Sequence, residues 1–339
     1  DPEKERWDGP LAGQEGAVAD FAADDSFPIS DLNDILPRML EQSERVYYAM
    51  GCDPEMDRRM SEWINQIRSK SRSGIQGPLE FIALDHYLHD MRLYKSRSEV
   101  AVMRRAARIS AQAHKRLMQE CEPGTMEYTL EAAFIHECSL QGARQQAYSP
   151  IVGGGDNATV LHYVDNKDEL RDGDLVLVDA GCEQDCYASD ITRTFPVSGV
   201  FNPQQKALYE LVLDAQLAAI DKVRPGNPYN APHEAVVRVL TKGLIKLGLL
   251  KGTPAKLIKD ESYKKFFMHG TGHWLGMDVH DVGDYKIDGH SRVLYPRKLQ
   301  TIEPALYIHG DRHKMAKKIR GMDIRIEDDE MLNNHRQDE

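Results

Sequence analysis

Helix and strand signals in this 339-residue chain arrive in blocks, not in strict alternation, and that ordering already narrows the fold. Ser96 and Glu99 have the spacing of a capping box, and apolar Val100, Met103, Ala107 and Ala111 follow at helical intervals. A second helix is predicted from Thr125 to a stop at Gly142. Two more come later, one from Asn202, with Pro203 in its first turn, to Pro225 and Gly226, the other from about Pro232 to Gly248. Strand signals gather between and after these pairs, from Leu175 to Val178, Ile191 to Val197, Thr301 to Ile308 and Met322 to Ile326. Paired helices and paired strands with turn-rich pieces between them predict an α+β fold with an antiparallel sheet rather than a doubly wound one.

The stretch before Ser96 is different. Residues 1 to about 30 are rich in Gly, Asp and Pro and too sparse in apolar residues to build a core, so they read as exposed and irregular. Two short helices are expected between Asp31 and Ser73. A strand-like piece runs from Arg45 to Met50, a loop covers Ser71 to Gly74, and another strand is expected near Leu79 to Ile82. Together these predict an incomplete α/β domain and linker over residues 1–92, ahead of a main domain over residues 93–339. The chain opens Asp1-Pro2-Glu3-Lys4 with neither an initiator Met nor a leader-like composition, and the expectation is that a portion upstream is lacking.

Composition excludes several classes of function. Lys and Arg number 43 against 54 Asp and Glu, a net charge of −11 that opposes binding to a phosphate backbone, so nucleic acid is not an expected partner. No apolar run approaches the roughly 20 residues that span a bilayer, so no membrane association is expected. The five cysteines form no CxxC pair and no even framework, which fits a cytoplasmic protein.

Carboxylates recur at strand ends, where packing does not need them. Asp179 closes the apolar run ending at Val178; alone it reads as an ordinary turn Asp. Asp190 sits in a run of period two, Ala188 to Thr194, which lets it face Asp179 across a hairpin. Two bare carboxylates so placed repel unless a cation lies between them. In Ile324-Arg325-Ile326-Glu327 the isoleucines share one face and Arg325 and Glu327 the other; a salt-bridged surface strand is the plain reading. Glu303 precedes Pro304 and so ends a strand or lies at its edge. The segment His269-Gly270-Thr271-Gly272-His273, continuing to His280 and Gly283, puts three histidines in twelve positions with glycines that admit close backbone approach. One imidazole with four carboxylates is an oxygen-dominated set, better suited to Mn, Co or Mg than to structural zinc.

These stretches, with Leu161-His162-Tyr163, Val178 to Glu183, Ser189 to Phe195, Thr301 to Pro304 and Arg325 to Asp328, stand in the order and form of proline-specific peptidases of the pita-bread fold. The chain resembles the aminopeptidase P branch of that family, from about Leu93 to Asp329. The resemblance implies a curved antiparallel sheet covered by paired helices, with two divalent ions, Mn²⁺ foremost. Asp190 and Glu327 would bridge them, Asp179 would complete one shell, and His273 with Glu303 the other. It assigns His162, His269 and His280 to substrate binding and transition-state stabilisation, and Arg325 to substrate binding and support of the carboxylates.

The implied reaction releases the residue before an amino-terminal Xaa-Pro bond by attack of a metal-bridging hydroxide. Glu303 would orient the nucleophile and take its proton, and His280 would face the oxyanion or the proline side. Proline has no N–H to recognise, so its ring would be accepted by shape. A homo-oligomer is a further expectation, although the incomplete amino-terminal domain bears on assembly. Two alternatives remain: a prolidase of the same fold, against which Trp274 and the Phe266-Phe267-Met268 lead-in weigh, and a non-catalytic binding module, which typically lacks one of the ligands.

Overall fold

The computed structural model describes residues 2–308, 321–333 and 337–338, and its contacts divide the chain into two units, Asp1–Leu88 and His89–Glu339. In the first unit, two short helices, α1 (Pro2–Asp8) and α2 (Gly13–Ala19), occupy the stretch expected to be irregular. Helix α2 buries no residue. A low apolar density limits burial; it does not forbid single turns of helix.

The firm part of this unit packs α3 (Leu32–Leu40) on α4 (Pro54–Ser69). Met60, Trp63 and Ile64 of α4 meet Leu32, Leu36 and Leu40 of α3. Asp53 caps α4 by accepting from the N–H groups of Glu55 and Met56 at 2.9 and 3.2 Å, and Pro54 fills the first helical position. Strands β1 (Arg45–Tyr48) and β2 (Glu80–Ala83) pair in parallel, Arg45 opposite Glu80. The expected loop at Ser71 to Gly74 is a 3₁₀ turn over Ser71–Ser73. The division between the units falls inside α5 (Leu84–Leu93), which the sequence did not signal.

The second unit is built from two helix pairs around antiparallel strands. Ser96 and Glu99 form both bonds of the capping box at the start of α6 (Arg97–Glu120). The Ala106, Ile109, Ala113, Leu117 stripe of α6 packs on Leu130 and Phe134 of α7 (Glu127–Leu140). After β3 (Gln145–Gln146), β4 (Ile151–Gly154) and β5 (Leu175–Asp179), a short excursion, β6 (Cys182–Gln184) and β7 (Tyr187–Ala188), leads into β8 (Thr192–Pro196). β5 lies between β4 and β8, with Ile151 and Thr192 both opposite Asp179.

Helices α8 (Pro203–Ile220) and α9 (Ala231–Lys246) form the second pair, followed by the short α10 (Pro254–Lys259). The first of these stops at Ile220, five residues before the expected Pro225, because Lys222 and Val223 close tight turns onto Ala219 and Ile220. Beyond a small hairpin of β9 (Lys286–Ile287) and β10 (His290–Ser291) come β11 (Leu299–Ile302), β12 (Ala305–Ile308), β13 (Met322–Arg325), β14 (Asp328–Leu332) and β15 (Gln337–Asp338). β12 pairs with β13, and β14 lies between β11 and β15, all antiparallel. Leu306, Ile308, Ile324 and Ile326 bury one face of these strands with Val212, Val236 and Leu240. That leaves the opposite face for polar side chains. Among the described residues no helix is long and apolar enough to cross a membrane.

Candidate active site

The polar faces of β5, β8, β11 and β13 converge on one buried patch of carboxylates. An isolated antiparallel bridge joins Thr192 to Glu327, so the strand end just after β13 lies beside the first residue of β8. Thr192 donates its hydroxyl to Glu327 Oε2 at 2.6 Å. Asp190 precedes it by two, on the same face. The histidine segment runs alongside β11: Thr301 N–H donates to the His273 carbonyl at 2.9 Å, and Glu303 N–H to that of Thr271 at 2.8 Å. A Cβ on Gly272 would fall 1.9 Å from the Thr301 carbonyl oxygen, so only glycine admits this approach.

Asp190, His273 and Glu327 bring ligand atoms within 4.8 Å of one another. Asp179 and Glu303 stand outside that trio but join the same field. The Tyr148 hydroxyl reaches both Asp179 Oδ1 at 2.6 Å and Asp190 Oδ1 at 2.5 Å. The two aspartates therefore meet through a phenol rather than directly across a hairpin, and the direct strand neighbour of Asp179 is Thr192. Arg325 Nη2 donates to Asp179 Oδ2, and Arg325 Nε to the Thr192 hydroxyl at 3.1 Å. Arg325 and Glu327 share a face, as alternation requires, but that face is buried and not a salt-bridged surface.

The electrostatics follow from four carboxylates facing one guanidinium. Burial holds the Glu327 carboxyl far above the usual carboxylate range, and Asp190, Glu303 and Asp179 add repulsion. Glu303 is pushed up to about 7, chiefly by burial, against the pull of Arg325 and His273. Asp179 is raised by burial and by Asp190, although Arg325 and Tyr148 oppose the rise. Burial alone would lower His273; the adjacent Asp190 and Glu303 outweigh it and the net shift is upward.

The donor set fits divalent ions. His273 donates Nδ1–H to the Trp274 carbonyl at 3.0 Å, which turns Nε2 toward Asp190 Oδ2, 3.4 Å away, as a nitrogen and an oxygen that a divalent ion would take in place of a proton. The remaining histidines differ in their surroundings. His269 donates Nδ1–H to the Gly270 carbonyl at 2.6 Å and accepts from the Tyr307 hydroxyl at Nε2, 2.7 Å; burial pushes it down to about 4, so it is neutral. His280 is exposed and packs edge-on to His273, ring centroids 4.4 Å apart. Burial and the neighbouring His273 lower it. His162 is exposed. A cavity of about 610 Å³ opens beside His269, lined by Tyr229, Tyr285, Met268, Gly270 and Ile302.

Four contributors had no role assigned from sequence. Thr192 shares the period-two face of Asp190, a signal that was present. Tyr148, Tyr307 and Asp329, which accepts the Asp190 N–H at 3.3 Å, carry no local signal, because their positions depend on pairings distant in the chain.

Residues 101–333 match the model of metallopeptidase family M24, and residues 1–48 that of the aminopeptidase P N-terminal domain. The chain belongs to metallopeptidase family M24, and its α+β architecture is the pita-bread fold of that family. It is 44% identical to the Xaa-Pro aminopeptidase of Escherichia coli (strain K12), over 96% of this chain and 73% of the relative. Its structure superposes on aminopeptidase PepP of Pseudomonas aeruginosa with a TM-score of 0.97 at 56% identity, covering all of this chain and 76% of that one. A zinc-substituted E. coli aminopeptidase P in complex with product gives a TM-score of 0.95 at 42% identity, with the same coverage.

Proposed function

We propose that this metallopeptidase is an Xaa-Pro aminopeptidase, which releases the amino-terminal residue from peptides with proline in second position. The observation that carries the reading is the buried convergence of Asp190, His273 and Glu327, in a chain 44% identical to a curated Xaa-Pro aminopeptidase. In this reading Asp179, Asp190, His273, Glu303 and Glu327 hold two divalent ions. The ions supply a water acidic enough to ionise near neutral pH.

The chain's own residues do the rest. Glu303 orients the attacking water and takes its proton. His280 offers an exposed imidazole beside His273, placed to hydrogen-bond the developing oxyanion. His269, with both ring nitrogens engaged, presents a ring edge to the cavity, where a proline ring is accepted by shape. His162 contributes an exposed imidazole to substrate binding. Arg325 holds Asp179 and, with Thr192, keeps the carboxylates in place.

Finer points belong to the same proposal. The oxygen-rich donor set favours Mn²⁺ as the resident ion. Five free thiols suit a reducing cytoplasm. A homo-oligomer is proposed on the family resemblance. The test is hydrolysis of the dipeptide Ala-Pro and the tripeptide Ala-Pro-Ala by chelated protein resupplied with Mn²⁺. Metal-dependent release of Ala from the tripeptide, with slow cutting of the dipeptide, is expected. Preference for the dipeptide would make the enzyme a prolidase, and cleavage of neither by folded, metal-loaded protein would overturn the assignment.

A further inference from the structure

Asp281 follows His280 directly, yet its side chain is buried while that of His280 is exposed. The carboxylate lies between two cations. Lys95 Nζ stands 3.0 Å from Oδ2, and Arg92 Nη2 stands 2.6 Å from Oδ1 and reaches on to Asp278 at 2.7 Å. The side chains of Lys95 and Asp281 are each 1% exposed. Their pairing is set against bare backbone: a Cβ on Gly276 would fall 2.0 Å from Asp281 Oδ2 and 3.0 Å from Lys95 Nζ. Backbone bonds tie the same turn to the metal-ligand segment, Asp281 N–H to the Trp274 carbonyl at 2.9 Å and Gly276 N–H to that of Asp278 at 3.2 Å.

Lys95 is itself rigidly mounted. Its N–H donates to the Arg297 carbonyl at 2.9 Å, and the next residue, Ser96, caps α6. A buried ion pair is poor evidence for stability, since withdrawing both charges from water costs about as much as their attraction returns, and an apolar pair of the same volume serves as well. The pair has a geometric output instead. It fixes residue 281, one peptide from His280, whose exposed ring no side-chain hydrogen bond holds among the described residues.

We propose that Lys95, acting through Asp281, is a positioning residue for His280, holding the 276–283 turn so that the imidazole faces the reacting carbonyl. This rests on the reading of His280 as a catalytic residue. The mechanical logic is short: a carboxylate clamped on both oxygens leaves its chain neighbour little freedom to swing, and an imidazole misplaced by an ångström loses most of its effect on the transition state.

The test is a double-mutant cycle on the metal-loaded full chain with Ala-Pro-Ala, using Lys95→Met, His280→Ala and the pair, with the melting temperature of each recorded. Lys95→Met is expected to lower kcat about tenfold with KM changed less than about twofold. In the His280→Ala background the same substitution is expected to cost less than about twofold, because the group it positions is gone. An equal loss in both backgrounds, or no loss in either, overturns the positioning role while leaving His280 catalytic. A His280→Ala enzyme as active as the parent removes the reading of His280 and this inference with it. Should Lys95→Met fail to fold, Asp281→Asn takes its place in the cycle, with the same losses expected and the same results overturning the role.

Discussion

Thr192 and Glu327 meet twice: the Glu327 N–H donates to the Thr192 carbonyl at 3.1 Å, and the Thr192 hydroxyl donates to Glu327 Oε2 at 2.6 Å. Backbone and side chain thus set the same carboxylate, and the hydroxyl oxygen also accepts from Arg325 Nε. Thr192→Val keeps the shape and removes the hydroxyl. Metal affinity is expected to fall roughly 10- to 100-fold, as for other groups that orient a metal ligand, and stability by about 1 kcal/mol. Calorimetric titration of chelated protein with Mn²⁺ reads the first, urea unfolding the second; an unchanged affinity would detach Thr192 from the metal site.

Tyr148 places one hydroxyl between Asp179 and Asp190, where burial and both carboxylates hold it protonated. Tyr148→Phe leaves the two anions facing each other without a proton between them. The metal-free protein is expected to lose about 1 to 3 kcal/mol, and the metal-loaded protein less, because the ions of the proposed site would offset the repulsion between the carboxylates. Melting temperatures with chelator and with Mn²⁺ decide it: an equal loss in both conditions would refute this role.

Glu303 ties stability to pH in the metal-free protein. Its carboxyl, ordinarily near 4.5, is pushed up to about 7, so the native state holds a proton that the unfolded chain has given up. That contribution is fully present below 4.5 and is lost as pH rises through 7. Glu303→Gln does not titrate. In chelator the variant should match the parent at about pH 4.5 and exceed it increasingly above, by at most about 3 kcal/mol past about pH 7. Urea unfolding of both proteins at about pH 4.5, 6 and 8 measures the gap, and a constant difference would contradict the shift.

Gly272→Ala sets a methyl 1.9 Å from the Thr301 carbonyl oxygen, a collision with backbone that no rotamer relieves. The segment must move off β11 and carry His273 with it. A loss of roughly 2 to 4 kcal/mol is expected, together with weaker metal binding. Thermal unfolding and Mn²⁺ titration check both, and Gly270→Ala, whose added Cβ meets nothing nearer than 3.8 Å, is the matched control.

What could be read from the chain follows from how local each signal is. The start of α6 needs only Ser96 and Glu99, within one helical turn of each other, and both capping bonds are present. Asp190, Glu303 and Glu327 stood out because alternation or a following proline removed them from the packing face. Helices α1 and α2 escaped notice because they bury almost nothing, so no apolar stripe marks them. Tyr148 and Asp329 escaped for the opposite reason. Their partner, Asp190, lies 42 and 139 residues away, and only the register of the folded strands brings them together.

The separation of 135 positions from Thr192 to Glu327 also bears on how the enzyme is made. Asp179 and Asp190 leave the ribosome first and Glu327 follows on the order of ten seconds later, at ordinary rates of synthesis. In the proposed reading the ligand set stays incomplete until that last strand docks. Activity, in that reading, awaits the strand end that carries Glu327.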